Sequence, residues 1–213
     1  MDVPAQIDSL LAQTAALHKH LCPRQVLGVR MGMLAARRFA FSLPQRDKRL
    51  LAFVESDGCF ADGVTIATGC SLGHRTMRLM DQGKVAVTFV DSKTAQAFRI
   101  WPAPQSRALA ATYAPDAPNR WTAQLKGYQT MPDDELLRLG EVELTVDLQA
   151  IVGKPGVRAS CSQCGEEILN LREVRRDGLP LCLHCAGSGY WKQKPQEAAE
   201  EDLASDRSPA PGL

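Results

Sequence analysis

Four of the chain's seven cysteines fall in two C-x-x-C pairs, Cys161-Ser162-Gln163-Cys164 and Cys182-Leu183-His184-Cys185, with 17 residues between them. A two-residue spacer lets both thiolates of a pair reach one ion from a tight turn. Two such pairs close a tetrahedral shell of four thiolates. No position is left for substrate, so the implied metal is structural Zn2+. Gly165 follows the first pair and suits a turn that aims backbone amides at the sulfurs. The segment is too short to bury a core of its own. Metal binding, on the order of 10 kcal/mol, should therefore supply its folding free energy. An unmetallated redox pair is the competing reading of the cysteines, and His184 is either a substitute ligand or a residue of the turn.

A cytoplasmic protein is expected from the N-terminus and from the shortness of the apolar runs. In a reducing compartment seven cysteines, four of them in two C-x-x-C pairs, argue for metal binding rather than a disulfide framework. No run of 18 apolar residues occurs, so no transmembrane helix is expected. The first residues, Met1 to Asp8, lack the basic and apolar regions of a signal peptide. With 213 residues, 45% of them hydrophobic, the chain can build one sizeable core and a small satellite. Its 25 basic and 24 acidic residues nearly cancel, so no global field draws it to nucleic acid or to an anionic membrane. Three parts are expected. Residues 1–153 form a mixed α+β core domain, with N-terminal helices packed on a small sheet. Residues 157–192 form a four-cysteine zinc finger, and residues 193–213 form a disordered tail too polar to pack. Gly153, Pro155 and Gly156 mark the first junction.

Within the core domain, Ile7, Leu10, Leu11, Thr14, Ala15 and His18 share one face of a first helix. A second helix should start at Pro23, which suits a first turn, and run to about Phe41. Gly28, Gly32 and Ala36 make a small-residue stripe along it, read as a close packing face. Strands are expected at 50–55, 84–90 and 97–101, with Pro102 and Pro104 ending the last. Short helices are expected at 62–68, 105–113 and 132–139. The alternation of 141–146 predicts a half-buried strand.

The remaining cysteines, Cys22, Cys59 and Cys70, all lie in the core domain. His18, His20 and Cys22 alternate just before the second helix, and alternate residues of an extended stretch point the same way. At a helix start the positive dipole end favours the Cys22 thiolate, which makes a better metal ligand and a better nucleophile. Cys59 lies in the cluster Glu55–Val64, and Cys70 lies between Gly69 and Gly73 in the cluster Thr68–His74. A packed core histidine at position 18 and a small buried hydrophobe at position 59 are the competing readings.

These pieces, in this order, resemble the FmdE-like family, which takes its name from formylmethanofuran dehydrogenase. Its opening H-G-H-x-C-P-G type motif reads here His18-Lys19-His20-Leu21-Cys22-Pro23-Arg24. Its C-x-x-D-G type segment is Cys59-Phe60-Ala61-Asp62-Gly63. Its G-C-T-x-G type loop is Gly69-Cys70-Ser71-Leu72-Gly73, and its D-x-G-K-x-A entry is Asp81 to Ala86. The C-terminal cysteines are similar to the TraR/DksA group of zinc fingers. The resemblance implies an α+β core with a His/Cys pocket for a second Zn2+ or other transition metal, and a homodimer. Carried over, the pocket uses His20, Cys22 and Cys70, with His18, Cys59 and Asp62 as neighbours. Lys19 and Arg24 stand where the family carries glycines, and His74 stands where it often carries lysine.

Three functions follow. The first is a metal-binding protein serving a metalloenzyme or a metal-handling pathway, with a metalloenzyme or metal-transport partner. The second is an enzyme using the Cys22 thiolate or a metal-bound water, with His20 or His74 as base. The third is a zinc-finger regulatory or interaction protein. Its nucleic-acid form would rely on Arg172, Arg175, Arg176, Lys192 and Lys194, a small set that Glu173 and Asp177 interrupt.

Overall fold

The computed structural model describes residues 3–45, 47–152 and 156–194. The chain divides into two compact units, 1–152 and 153–213. Most of the expected tail, and junction residues 153–155, lie outside the described residues. Among the described residues no helix is long and apolar enough to cross a membrane.

The larger unit opens with α1 (Val3–His18) and α2 (Pro23–Phe39). Ile7, Leu10, Leu11 and Thr14 are buried, as the 3.6-residue spacing requires. Pro23 opens α2. Three elements follow: β1 (Leu50–Val54), α3 (Cys59–Thr68) and β2 (Met77–Leu79). Next come β3 (Val87–Asp91), β4 (Ala97–Pro102), α4 (Ser106–Leu109) and α5 (Arg120–Thr130). The unit closes with α6 (Asp133–Leu136), β5 (Leu137–Glu141) and α7 (Leu148–Val152). One mixed sheet runs in the order β2-β1-β3-β4-β5, parallel only between β1 and β2.

Alternation along the strands sorts the two faces. Leu50, Ala52, Val54, Val87, Phe89 and Ile100 belong to the main core with residues of α1, α2 and α3. Leu51, Phe53, Val90 and Ala97 form a second cluster on the other face, covered by Val142, Leu144, Val146, Leu148 and Ile151. The alternation at 141–146 is therefore present, but it lays side chains on the back of the sheet. The ladder strand lies just before it, at β5. Strand β2 and helices α5 and α7 are the other elements of this unit that the sequence did not announce.

The tightest packing joins α2 to α3. A Cβ on Gly28 would lie 2.4 Å from the Phe60 carbonyl oxygen, and one on Gly63 would lie 2.3 Å from that of Gln25. A Cβ on Gly32 would lie 2.6 Å from the Ala67 Cβ. These contacts advance in the same direction along both helices, so their N-termini sit at the same end. Helix α5 is held to α2 by Arg30, whose buried guanidinium donates to the carbonyls of Tyr128, Gln129 and Met131 and to Asp133 Oδ1. It thereby satisfies carbonyls at the C-terminus of α5 that lack a helical partner.

Replacing Gly63 by Ala forces a methyl against main-chain atoms that cannot yield. The expected loss is about 2–3 kcal/mol, near the upper end for overpacking. Chemical denaturation checks it. An unchanged midpoint would show that the two helices separate easily.

Candidate metal centres

In the smaller unit β6 (Arg158–Ser160) pairs with β7 (Glu167–Leu169), and β8 (Val174–Arg176) pairs with β9 (Leu179–Leu181). Cys161 and Cys164 lie in the first hairpin turn, where Gly165 takes φ 77°. Cys182 directly follows β9, and Cys185 sits in the single helical turn His184–Ser188. All four sulfurs lie within 4.8 Å of one another. The Cys182 amide donates to Cys161 Sγ at 3.3 Å, and the Cys185 amide donates to Cys182 Sγ at 3.4 Å. Hydrogen bonds from the Cys164 and Cys182 amides pull the Cys161 thiol down to about 6. Desolvation and the neighbouring thiols push Cys185 up to about 12. Four acids crowded together cannot all ionise unaided, and a divalent cation removes that obstacle. Among the described residues of this unit, Cys161 and Ile168 are the only buried hydrophobics. So few apolar contacts leave the metal as the main source of stability.

A second candidate cluster lies where three helix ends meet. His18 is the last residue of α1, Cys22 caps α2, and Cys59 is the first residue of α3. Ligating atoms of His18, His20 and Cys59 lie within 4.8 Å of one another. The His18 and His20 rings meet edge to face, 4.5 Å between centroids. Their convergence comes from a turn rather than from an extended stretch, because Lys19 takes φ 63°. That left-handed conformation is natural for the glycine of the family motif. Gly58 caps α3 at φ 76°, ψ −154°, a region that only glycine enters freely, and this presents Cys59 to the cluster.

His18 Nδ1 pairs with Asp62 Oδ2 at 2.6 Å, while its Nε2 lies 3.1 Å from Cys59 Sγ. Cys59 and Asp62 are three residues apart on α3 and so share one face. A carboxylate on Nδ1 leaves Nε2 free to ligate, the arrangement found around metal-binding imidazoles. The Cys22 thiol lies near Cys59, close enough to act on its ionisation. Burial and that thiol raise the pKa of Cys59. The Cys22 amide donates to Gln25 Oε1 at 2.6 Å, which fixes the start of α2.

Cys70 does not join this group. It follows the opposite end of α3, and a ten-residue helix spans about 15 Å, too far for Cys59 and Cys70 to share an ion. The Cys70 thiol is buried in the core and donates to the Leu50 carbonyl at 3.4 Å, and burial pushes it up to about 11. His74 is exposed and borders a separate hollow with Cys70. Cys22 and Cys59 also open onto a cavity of about 970 Å³ walled by Trp101, Trp121 and Tyr128. Of these residues only the two cysteines were singled out from the sequence, and no local motif marks the three aromatic ones.

Residues 17–138 match the family described as "FmdE, Molybdenum formylmethanofuran dehydrogenase operon". The chain belongs to the FmdE family. Residues 156–188 match the prokaryotic dksA/traR C4-type zinc finger, so the four-cysteine cluster sits in a zinc-finger domain. A protein of Archaeoglobus fulgidus, described as a probable S-adenosyl-L-methionine-binding protein, is 30% identical over 206 residues. The match takes in 87% of this chain and 55% of that protein, so this FmdE-family chain spans about half of its relative. The crystal structure of a tungsten formylmethanofuran dehydrogenase FmdE-like protein from Syntrophus aciditrophicus superposes with a TM-score of 0.58 at 20% identity. That match covers 87% of this chain and 95% of the other, and it shows a shared fold.

Zinc removal should unfold the smaller unit selectively. Treating the full chain with a chelator, or acidifying it until the thiolates protonate, should open residues 156–194 to protease while the 1–152 unit stays protected. Limited proteolysis with mass spectrometry reads this out. Equal protection with and without metal would contradict it.

Proposed function

We propose that this FmdE-family protein binds a second metal ion in its core through His18, His20 and Cys59, and serves a metalloenzyme or a metal-handling pathway. One observation carries the proposal: two imidazoles and a thiol from separate helix ends lie within 4.8 Å of one another, with Asp62 orienting His18. Two nitrogens and one sulfur suit zinc or another borderline-soft ion. Cys22, beside Cys59, is the nearest further thiol. A bound ion would supply a Lewis acid; His18 and His20 would hold it, and Asp62 would keep the His18 ring in place. The homodimer and the metalloenzyme or metal-transport partner implied by the resemblance belong to this proposal.

A second reading has its own support. Cys59, His18 and Asp62 form a thiol–imidazole–carboxylate series, the geometry of an activated nucleophile. In an enzyme of this kind Cys59, rather than Cys22, would attack. The raised pKa of Cys59 opposes it, because a nucleophilic thiol needs its pKa lowered. The relative from Archaeoglobus fulgidus raises S-adenosyl-L-methionine as a ligand here too. That molecule carries net positive charge, and the cavity beside the cysteines is lined by cations and no carboxylate.

Elemental analysis of purified chain tests the metal reading. About two metal ions per chain are expected, falling to about one in His18→Ala and Cys59→Ser and unchanged in Cys70→Ser. A wild-type content of one, or a loss in Cys70→Ser alone, would overturn the core site. A metal-free chain whose Cys59 alkylates fast at neutral pH would favour the enzyme.

A further inference from the structure

The charge of the whole chain nearly balances, 25 basic against 24 acidic residues, but the charge on the cavity beside Cys22 and Cys59 does not. Every charged residue on its wall is basic: Arg24, Lys84, Arg99, Arg107 and Arg120. Arg99 is neutralised by Glu55, with two hydrogen bonds of 2.6 and 2.7 Å. The other four make no ion pair with a carboxylate among the described residues. They are exposed and form a rim. Elsewhere in the core domain, buried Asp91 has Arg49 and half-buried Asp133 has Arg30. Four unpaired cations around one opening raise the local concentration of anions.

The inner wall is different. Leu27, Ala103 and Tyr128 are buried there and Trp101 is partly buried, so the interior is apolar and aromatic. Tyr128 and the rim residue Arg107 both line the cavity, so the apolar wall and the basic rim adjoin. Trp121 stands at the mouth with 52% of its surface exposed, so its ring is open to contact from within the cavity mouth. Arg120 and Trp121 open α5, whose N-terminus adds partial positive charge on the same side. At about 970 Å³ the space holds a ligand of cofactor size.

We propose that this cavity binds a small organic polyanion with a flat heterocycle, of the nucleoside triphosphate class. The ring lies against Trp101 and Trp121, and the phosphates lie on Arg24, Lys84, Arg107 and Arg120. Flat rings stack on indole, and guanidinium forks match phosphate oxygens. The rim cations and the aromatic walls contain no proposed ligand of the core metal; of that set only Cys59 borders the cavity. Cys22 and Cys59 at the inner end place any bound ligand next to that centre.

The test is calorimetric titration of the metal-loaded full chain with ATP, adenosine and inorganic tripolyphosphate at about 0.15 M salt. ATP should bind in the micromolar range, and adenosine and tripolyphosphate each at least about tenfold more weakly. Arg107→Ala/Arg120→Ala should weaken ATP at least about tenfold, and Trp121→Ala several-fold, whereas Lys126→Ala, which removes a cation elsewhere on α5, should not. His18→Ala should lose the core metal and keep ATP, which separates this site from the metal reading. No ATP binding up to about 1 mM, equal affinity for tripolyphosphate, or an unchanged double variant would overturn the proposal.

Discussion

The contact between α2 and α3 is the constraint on which the core site depends. Gly28, Gly32 and Gly63 let two backbones approach to distances that no side chain would allow. Because the contact is parallel, it sets two helix N-termini side by side and delivers Cys22 and Cys59 to the same place. Two positive dipole ends repel each other, and sulfur ligands or a nearby anion relieve that repulsion. The C-terminus of α1 arrives at the same point with His18, bringing the opposite end of a dipole.

The zinc finger and the proposed core metal site differ in how they relate to folding. The finger holds its sulfurs on short hairpins with little core beneath them, so ion and fold form together. The His/Cys cluster rests on a core that includes Val26, Val29, Phe60 and Val64, all fully buried. Such a scaffold keeps its shape whether or not the ion is bound. That suits a site which exchanges metal or leaves a coordination position open. The cavity at its edge gives that position access to a ligand.

The sequence was most legible where chemistry and spacing coincide. The two C-x-x-C pairs named the finger outright, and the apolar face of α1, Pro23 at the start of α2 and the small-residue stripe all describe what the structure contains. The aromatic cavity was illegible because α5, with Gly127 and β-branched Thr122 in its interior, shows weak helical periodicity. Three-residue β2 is too short to show an alternation. Residues 142–146 alternate as a strand does, since covering a sheet imposes the same two-residue period as joining one. His18 and His20 were expected together, although Lys19 achieves it by reversing the chain. Cys70 was expected beside Cys22 because the motif order suggested it, and only the length of α3 shows that the two lie at opposite ends.

The most direct measurement is anomalous diffraction at the metal absorption edge from crystals of the metal-loaded chain. The account predicts one peak among the finger cysteines and a second bounded by His18 Nε2, His20 and Cys59 Sγ, at about 2.0–2.3 Å from each. A peak in the finger alone, or a second peak beside Cys70, would contradict it.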